Sequence, residues 1–153
     1  MKTVYVLDLD PRLAAAYHCD RHICMYIMKY GQILSHAHIA LDACKDFKLA
    51  TINESTDTIW GRWILESVEN YNWLYKLWLG LCDEYRIRFN KVNANELRVS
   101  EFLLNPPKNI SQIKMTKFPI ENPVETSRNI YLNEKFKIVK YRHSESPPWF
   151  VVT

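Results

Sequence analysis

Residues 18–44 read HCDRHICMYIMKYGQILSHAHIALDAC, and the reading of this stretch decides the fold. It carries four of the five histidines, three of the four cysteines and the longest helical pattern in the chain. At about 100° per residue, Ile23, Ile27, Tyr30, Leu34, Ala37 and Leu41 fall on one side. A long helix over about 21–43 is predicted, with that side turned to the core. His22, Lys29 and His36 are spaced seven apart and form a ridge beside the stripe, with Met25 and Gln32 on the same flank. A titratable ridge bordering an apolar stripe is where a cleft can be built. The same side chains also read as half-exposed boundary residues satisfied locally. Asp20 is placed to cap the helix, and Gly31 inside it costs about 1 kcal/mol relative to alanine.

On the N-terminal side, Thr3 to Leu7 (TVYVL) is β-branched and aromatic, which predicts a short strand. Asp10-Pro11 then supplies a cap and a first-turn proline for a short helix, Arg12 to about His18. On the C-terminal side, residues 45–55 are polar and without period, a loop. Ile59, Trp60 and Trp63 sit at helical spacing in a third helix over 56–65, and a break is expected over 66–70. The second long helix is Asn70 to Phe89, with Tyr71, Leu74, Tyr75, Trp78, Leu81, Cys82 and Tyr85 as its stripe. Asn93 or Asn95 caps a shorter helix through about Leu104, stopped by Pro106-Pro107. Residues 105–123 have no period and are expected to wrap the surface. Glu125 to about Tyr141 is a last helical candidate, although KFKIVKY within it alternates like a strand. The tail SESPPWFVVT should dock through Trp149 and Phe150. The expected fold is mostly α: one compact domain over 1–153, two long antiparallel helices, a short N-terminal strand and an extended C-terminal wrap.

Composition agrees with a packed domain. Of 153 residues, 48% are hydrophobic and 13% aromatic, too apolar for a disordered chain. Three glycines are few for a sheet-rich fold full of tight turns. The net charge of +3 does not by itself imply nucleic acid. No apolar run approaches the roughly 20 residues of a membrane span, so no membrane partner is expected. The first residues do not read as a secretory leader, and the cysteines read as reduced thiols in a cytoplasmic compartment.

The chemistry-bearing candidates follow from residue type and spacing. No GxSxG, P-loop or GxGxxG is present, which removes the easily recognised hydrolase, NTPase and dinucleotide classes, and no cofactor is expected. Cys19, His22, His36 and His38 include metal-binding side chains but lack the paired spacing of zinc sites, so no metal is expected. Lys29 stands between His22 and His36, and burial beside positive neighbours would make it a Schiff-base amine with the two histidines as acid and base. Between Pro106 and His143 eight basic residues face three acidic ones, with Phe118, Tyr131, Phe136 and Tyr141 interleaved. Arg128, Lys135 and Lys137 belong to this run, and Arg86, Arg88 and Lys91 close the 70–89 helix. The pattern suits phosphate neutralisation with base stacking. It suits a solvated face over an aromatic core, and the dipole of that helix, equally well.

The run VLDLDPRLAAAYHCDRH…QILSHAH, followed by ESVENYNWLYKLWLGLCDEYRIRF, resembles a group of phage and bacterial proteins. Their pattern is DP…HCDKH…QLLSTAH, then an NHP element before a tryptophan, then ENYxWL…EYxxRxGK. The likeness spans roughly residues 4–91, and more loosely LNEK and PPW. The arrangement is also remotely similar to the pyrimidine-dimer DNA glycosylases of the endonuclease V type, small and mostly α-helical phage enzymes. That resemblance implies that Asp20, His22 and the 23–41 helix match the glycosylase catalytic helix. The catalytic glutamate of those enzymes is replaced by Lys29, and the reactive N-terminal amine is altered by Lys2, which should keep Met1 in place. NESTDTIW stands where the NHP histidines would be. Two expectations result: a DNA-binding protein related to base-excision glycosylases and abasic-site lyases, with Lys29, His22 and His36 as its chemistry, or a non-catalytic viral protein holding a nucleotide-like ligand or a host protein in the same cleft. Asp20, Gln32, Arg86, Arg88, Lys91, Arg128, Lys135 and Lys137 are the binding residues expected, and the oligomeric state is left open.

Overall fold

The computed structural model describes residues 4–46, 58–135 and 137–151. The chain is mostly helical. Helix α1 spans Pro11–Tyr17, α2 Asp20–Asp42, α3 Ile59–Glu66, α4 Val68–Phe89, α5 Ala94–Leu103 and α6 Pro123–Asn129, the last running into a π-helical turn, Ile130–Glu134. Local chemistry starts most of them. Asp10 accepts from the Arg12 and Leu13 N–H groups, Thr58 from Gly61, Ser67 from Glu69 and Asn70, and Asn93 from Asn95. Each side-chain oxygen satisfies a first-turn donor the helix cannot. Ala43 and Asn90, both left-handed, end α2 and α4.

Helices α2 and α4 form the centre. Asp20 meets Arg88, Trp78 Nε1 donates to the Ile27 carbonyl, and His38 bonds the Tyr71 hydroxyl. Gly31 is where Trp78 comes in: a Cβ there would lie 3.3 Å from Trp78 Nε1. The packing is tighter at Gly80, where a Cβ would stand 2.6 Å from that of Ala15 on α1. The expected stripe of α2 is buried through Ala37, with Leu41 half-buried at its end, but residues 30–35 are buried all the way round. With α3, α4 and α5 all packed on α2, a single stripe understates what the helix covers.

The short N-terminal strand is a correction. Residues 4–7 are buried, but no strand is present among the described residues. Their polar backbone groups go to side chains instead: Tyr5 N–H donates to the Tyr30 hydroxyl at 3.0 Å, Val6 N–H to Ser127 Oγ at 2.9 Å, and the Leu7 carbonyl accepts from Arg128 Nε. A β-prone segment without a neighbouring strand satisfies its backbone wherever donors and acceptors are. The last helical candidate also ends early, at Glu134. The proline-bearing segment after α5 is tied by its backbone to the helix ends. Lys108 and Asn109 N–H groups donate to the Asp42 carboxylate, Met115 N–H to Glu69, and the Ser111 carbonyl accepts from Val68. Trp149 of the tail docks edge-on against Tyr17 at 5.9 Å. Most of the loop expected over 45–55, together with Met1, Lys2 and Phe136, lies outside the described residues. No helix among those described is long and apolar enough to cross a membrane.

Candidate functional site

The first turns of α2 place His22, Tyr26 and Lys29 at i, i+4 and i+7, one face of the helix. Two further elements close on that face. The buried segment 4–7 brings Tyr5, whose ring stacks on His22 at 4.7 Å and 22°. The π-helical turn brings the fully buried Tyr131, whose ring meets His22 at 5.2 Å, and ends next to Lys135. The wider turn, closed by Lys135 N–H on the Ile130 carbonyl, is a local irregularity of the kind common at functional sites.

Hydrogen bonding assigns the protons here. Cys19 N–H donates to the Tyr131 hydroxyl oxygen at 3.1 Å, and that hydroxyl lies 2.8 Å from His22 Nδ1. Imidazole nitrogen is a far better acceptor than the neighbouring thiol, so the Tyr131 proton goes to Nδ1 and the ring keeps its own proton on Nε2. Burial pushes the His22 pKa down to about 4, helped by the charges of Lys135, Lys29 and Arg21. His22 is therefore a neutral N–H donor at neutral pH, with two half-buried lysines acting on it. Lys29 Nζ sits 5.3 Å from the centre of the Tyr26 ring. The phenols of Tyr5 and Tyr26 are raised by burial and stay protonated. His18, one turn earlier, is fully buried, bonded to the Ala14 carbonyl and the Tyr30 hydroxyl, and lowered by burial to about 3.

The structure thus brings His22, Lys29 and Lys135 together, and disperses the remaining sequence candidates. His36 lies half-buried further along α2. Gln32 is buried, its Oε1 without a hydrogen-bond partner among the described residues. Arg88 has no exposed side-chain surface; it donates to the His18 and Ala16 carbonyls, Asp20 and Glu84. Asp20 also accepts from the Arg142 N–H. Arg86 pairs with Asp83 and Glu96. Arg128 holds the Leu7 carbonyl and Asp8, its guanidinium over Trp149 at 5.1 Å. Lys91 and Lys137 are exposed. No group of three or more His, Cys, Asp or Glu that could hold a metal occurs among the described residues. His38 Nε2 is engaged with Tyr71, whose hydroxyl donates to the Leu103 carbonyl.

Sequence reasoning missed Tyr5 and Tyr26 as site residues, and read Tyr131 as one of the aromatics of the basic run rather than as the partner of His22. Tyr26 was visible, one turn from His22 on the same face. Tyr5 and Tyr131 reach the site from distant positions, and nothing local announces them.

No family model, curated protein or solved structure matches the chain. The likeness to the glycosylases rests on the sequence motifs alone.

Proposed function

We propose that the protein binds DNA or a nucleotide-like ligand of phage or host, and that His22, Lys29 and Lys135 receive a phosphate of that ligand. One observation carries this reading: His22, its Nδ1 bonded to the Tyr131 hydroxyl, shares a face of α2 with Lys29, and the turn that packs Tyr131 on it ends next to Lys135. A neutral N–H beside two ammonium groups is matched to an anion that the ring itself need not charge to bind. Lys29, packed over Tyr26, is the amine for Schiff-base chemistry if the ligand is an abasic deoxyribose. The non-catalytic alternative is favoured by a separate observation. Arg88, Arg86 and Arg128, expected on phosphates, spend their hydrogen bonds inside the protein, which leaves a smaller basic footprint.

Fluorescence anisotropy with a short single strand, with and without an abasic site, tests the binding. Phosphate-driven affinity falls steeply between about 50 and 200 mM salt. Borohydride reduction tests the chemistry: wild type should form a covalent adduct with abasic DNA and Lys29→Ala should not. His22→Ala should slow trapping without abolishing it, by about 10²- to 10⁴-fold if it moves the proton. Salt-sensitive binding with no adduct selects the non-catalytic reading. No binding to any strand or nucleotide refutes both.

A further inference from the structure

A second cavity, of about 580 Å³, opens where the start of α2 meets the end of α4, lined by Asp20, Arg21, Cys24, Met25 and Phe89. Its floor is apolar: the half-buried Phe89 ring, Met25 and the exposed Cys24 thiol. Its rim is cationic. Arg21 is on the lining, the Arg142 guanidinium lies over Phe89 at 5.4 Å, and Lys91 follows two residues after Phe89. Arg21, Lys91 and Arg142 are exposed and have no carboxylate partner among the described residues. The lining carboxylate, Asp20, is already engaged by Arg88 and the Arg142 N–H. Arg21 on the lining and Arg142 over the aromatic floor complement one chemistry, a flat ring joined to an anion.

We propose that this cavity is a nucleotide subsite, in which a base packs against the Phe89–Arg142 pair and its phosphate is held by Arg21 and Lys91. The subsite deepens the reading above. Arg21, on the lining, immediately precedes His22 in the first turn of α2, so the cavity and the His22 cluster share that turn. A strand crossing that turn places successive nucleotides on either side of it. Stacking on a ring or a guanidinium plane tolerates any base, so the subsite confers no sequence preference.

The exposed thiol reports occupancy directly. Cys24 alkylation by N-ethylmaleimide, followed by peptide mass spectrometry, is measured with thymidine monophosphate, with inorganic phosphate and with an oligothymidylate of about 12 nucleotides, within the usual single-strand site size. The half-buried Cys44 at the far end of α2 is the internal reference. Both nucleotide probes should slow Cys24 alkylation about tenfold or more at saturation and leave Cys44 unchanged, while inorganic phosphate protects less. Phe89→Leu should weaken oligonucleotide binding about 5- to 100-fold, the loss expected for one base stack. Arg21→Gln, at an exposed side chain on the lining, should reduce the salt slope by about one unit. Oligonucleotide binding with full affinity in both variants and no Cys24 protection overturns the subsite and leaves the DNA reading standing. Protection by the mononucleotide without oligonucleotide binding keeps the subsite and removes DNA as its source. Neither binding nor protection overturns both.

Discussion

Replacing Arg88 by methionine should unfold the protein far more readily than its place at the end of a helix suggests. The side chain is fully buried and meets two carbonyls, two carboxylates and an aromatic ring at once. Nη1 donates to the His18 carbonyl at 2.8 Å and Nη2 to that of Ala16 at 2.9 Å, acceptors at the C-terminal end of α1. Asp20 and Glu84, with 20% and 16% of their side chains exposed, take the remaining bonds, and the Tyr141 ring covers the guanidinium at 5.4 Å. Methionine fills most of the volume but leaves two carbonyls unpaired, each costing about 1–3 kcal/mol. The two carboxylates recover part of their solvation because they are not fully enclosed. The sum falls in the range of about 3–5 kcal/mol for breaking a buried ion pair. At about 2–4 °C per kcal/mol for a chain of this size, the melting point should drop by roughly 6–20 °C. Urea denaturation supplies the free energy and circular dichroism the melting point, with Arg12→Gln, whose pair with Asp83 is exposed on both sides, as a control expected to change stability by less than about 1 kcal/mol. An Arg88→Met protein within about 1 kcal/mol of wild type would refute the clamp and return Arg88 to the list of phosphate ligands.

Gly80→Ala should destabilise by about 1–3 kcal/mol despite its gain in helix propensity, because the new methyl stands 2.6 Å from Ala15 Cβ; a neutral or stabilising result in a urea titration contradicts the close approach of α1 and α4. Tyr131→Phe removes the hydroxyl shared by Cys19 N–H and His22 Nδ1, and should cost about 1–3 kcal/mol by the same assay. Acid should also weaken the fold before most carboxylates titrate. His18 and His22 are lowered to about 3 and 4, so below about 6.5 the unfolded chain takes up protons that the folded one refuses. Stability present above that pH is then lost as pH falls, by about 1.4 kcal/mol per pH unit for each histidine, and a urea midpoint that stays flat from about pH 7 to 5 would contradict it.

Local signals were legible where the sequence itself supplies the partner. Asp10 and Asn93 start helices through donors two or three residues away, and the period of Ile23 to Ala37 gives α2 its length, whereas Ser67 caps a helix that begins at Val68, inside the break expected over 66–70. What sequence does not carry is the number of neighbours. His22 was read at the edge of a stripe and is instead walled in by Tyr5 and Tyr131. TVYVL is apolar enough to be buried, yet no strand partner exists among the described residues and its donors end on Tyr30 and Ser127. A guanidinium near a helix C-terminus looks the same on paper whether it meets the dipole, a phosphate or a carboxylate far along the chain. Arg88 meets the last of these, 68 positions away.

That same contact fixes the end of α2 on which both proposed sites rest. Asp20 is held from both sides, by Arg88 of α4 and by the Arg142 N–H of the tail, while its own N–H donates to the Lys140 carbonyl. The first turn of α2 is therefore fixed by hydrogen bonds to two distant parts of the chain rather than by a local cap, since Cys19 provides none. A turn fixed in this way can hold His22 against Tyr131 on one face and Cys24 and Met25 beside Phe89 on another without either arrangement depending on a mobile loop. Rigid support is what a binding constellation needs if its charges are to meet an anion without first paying to order themselves. The buried arginine that sequence assigned to the ligand acts instead on the helix that carries the His22 cluster.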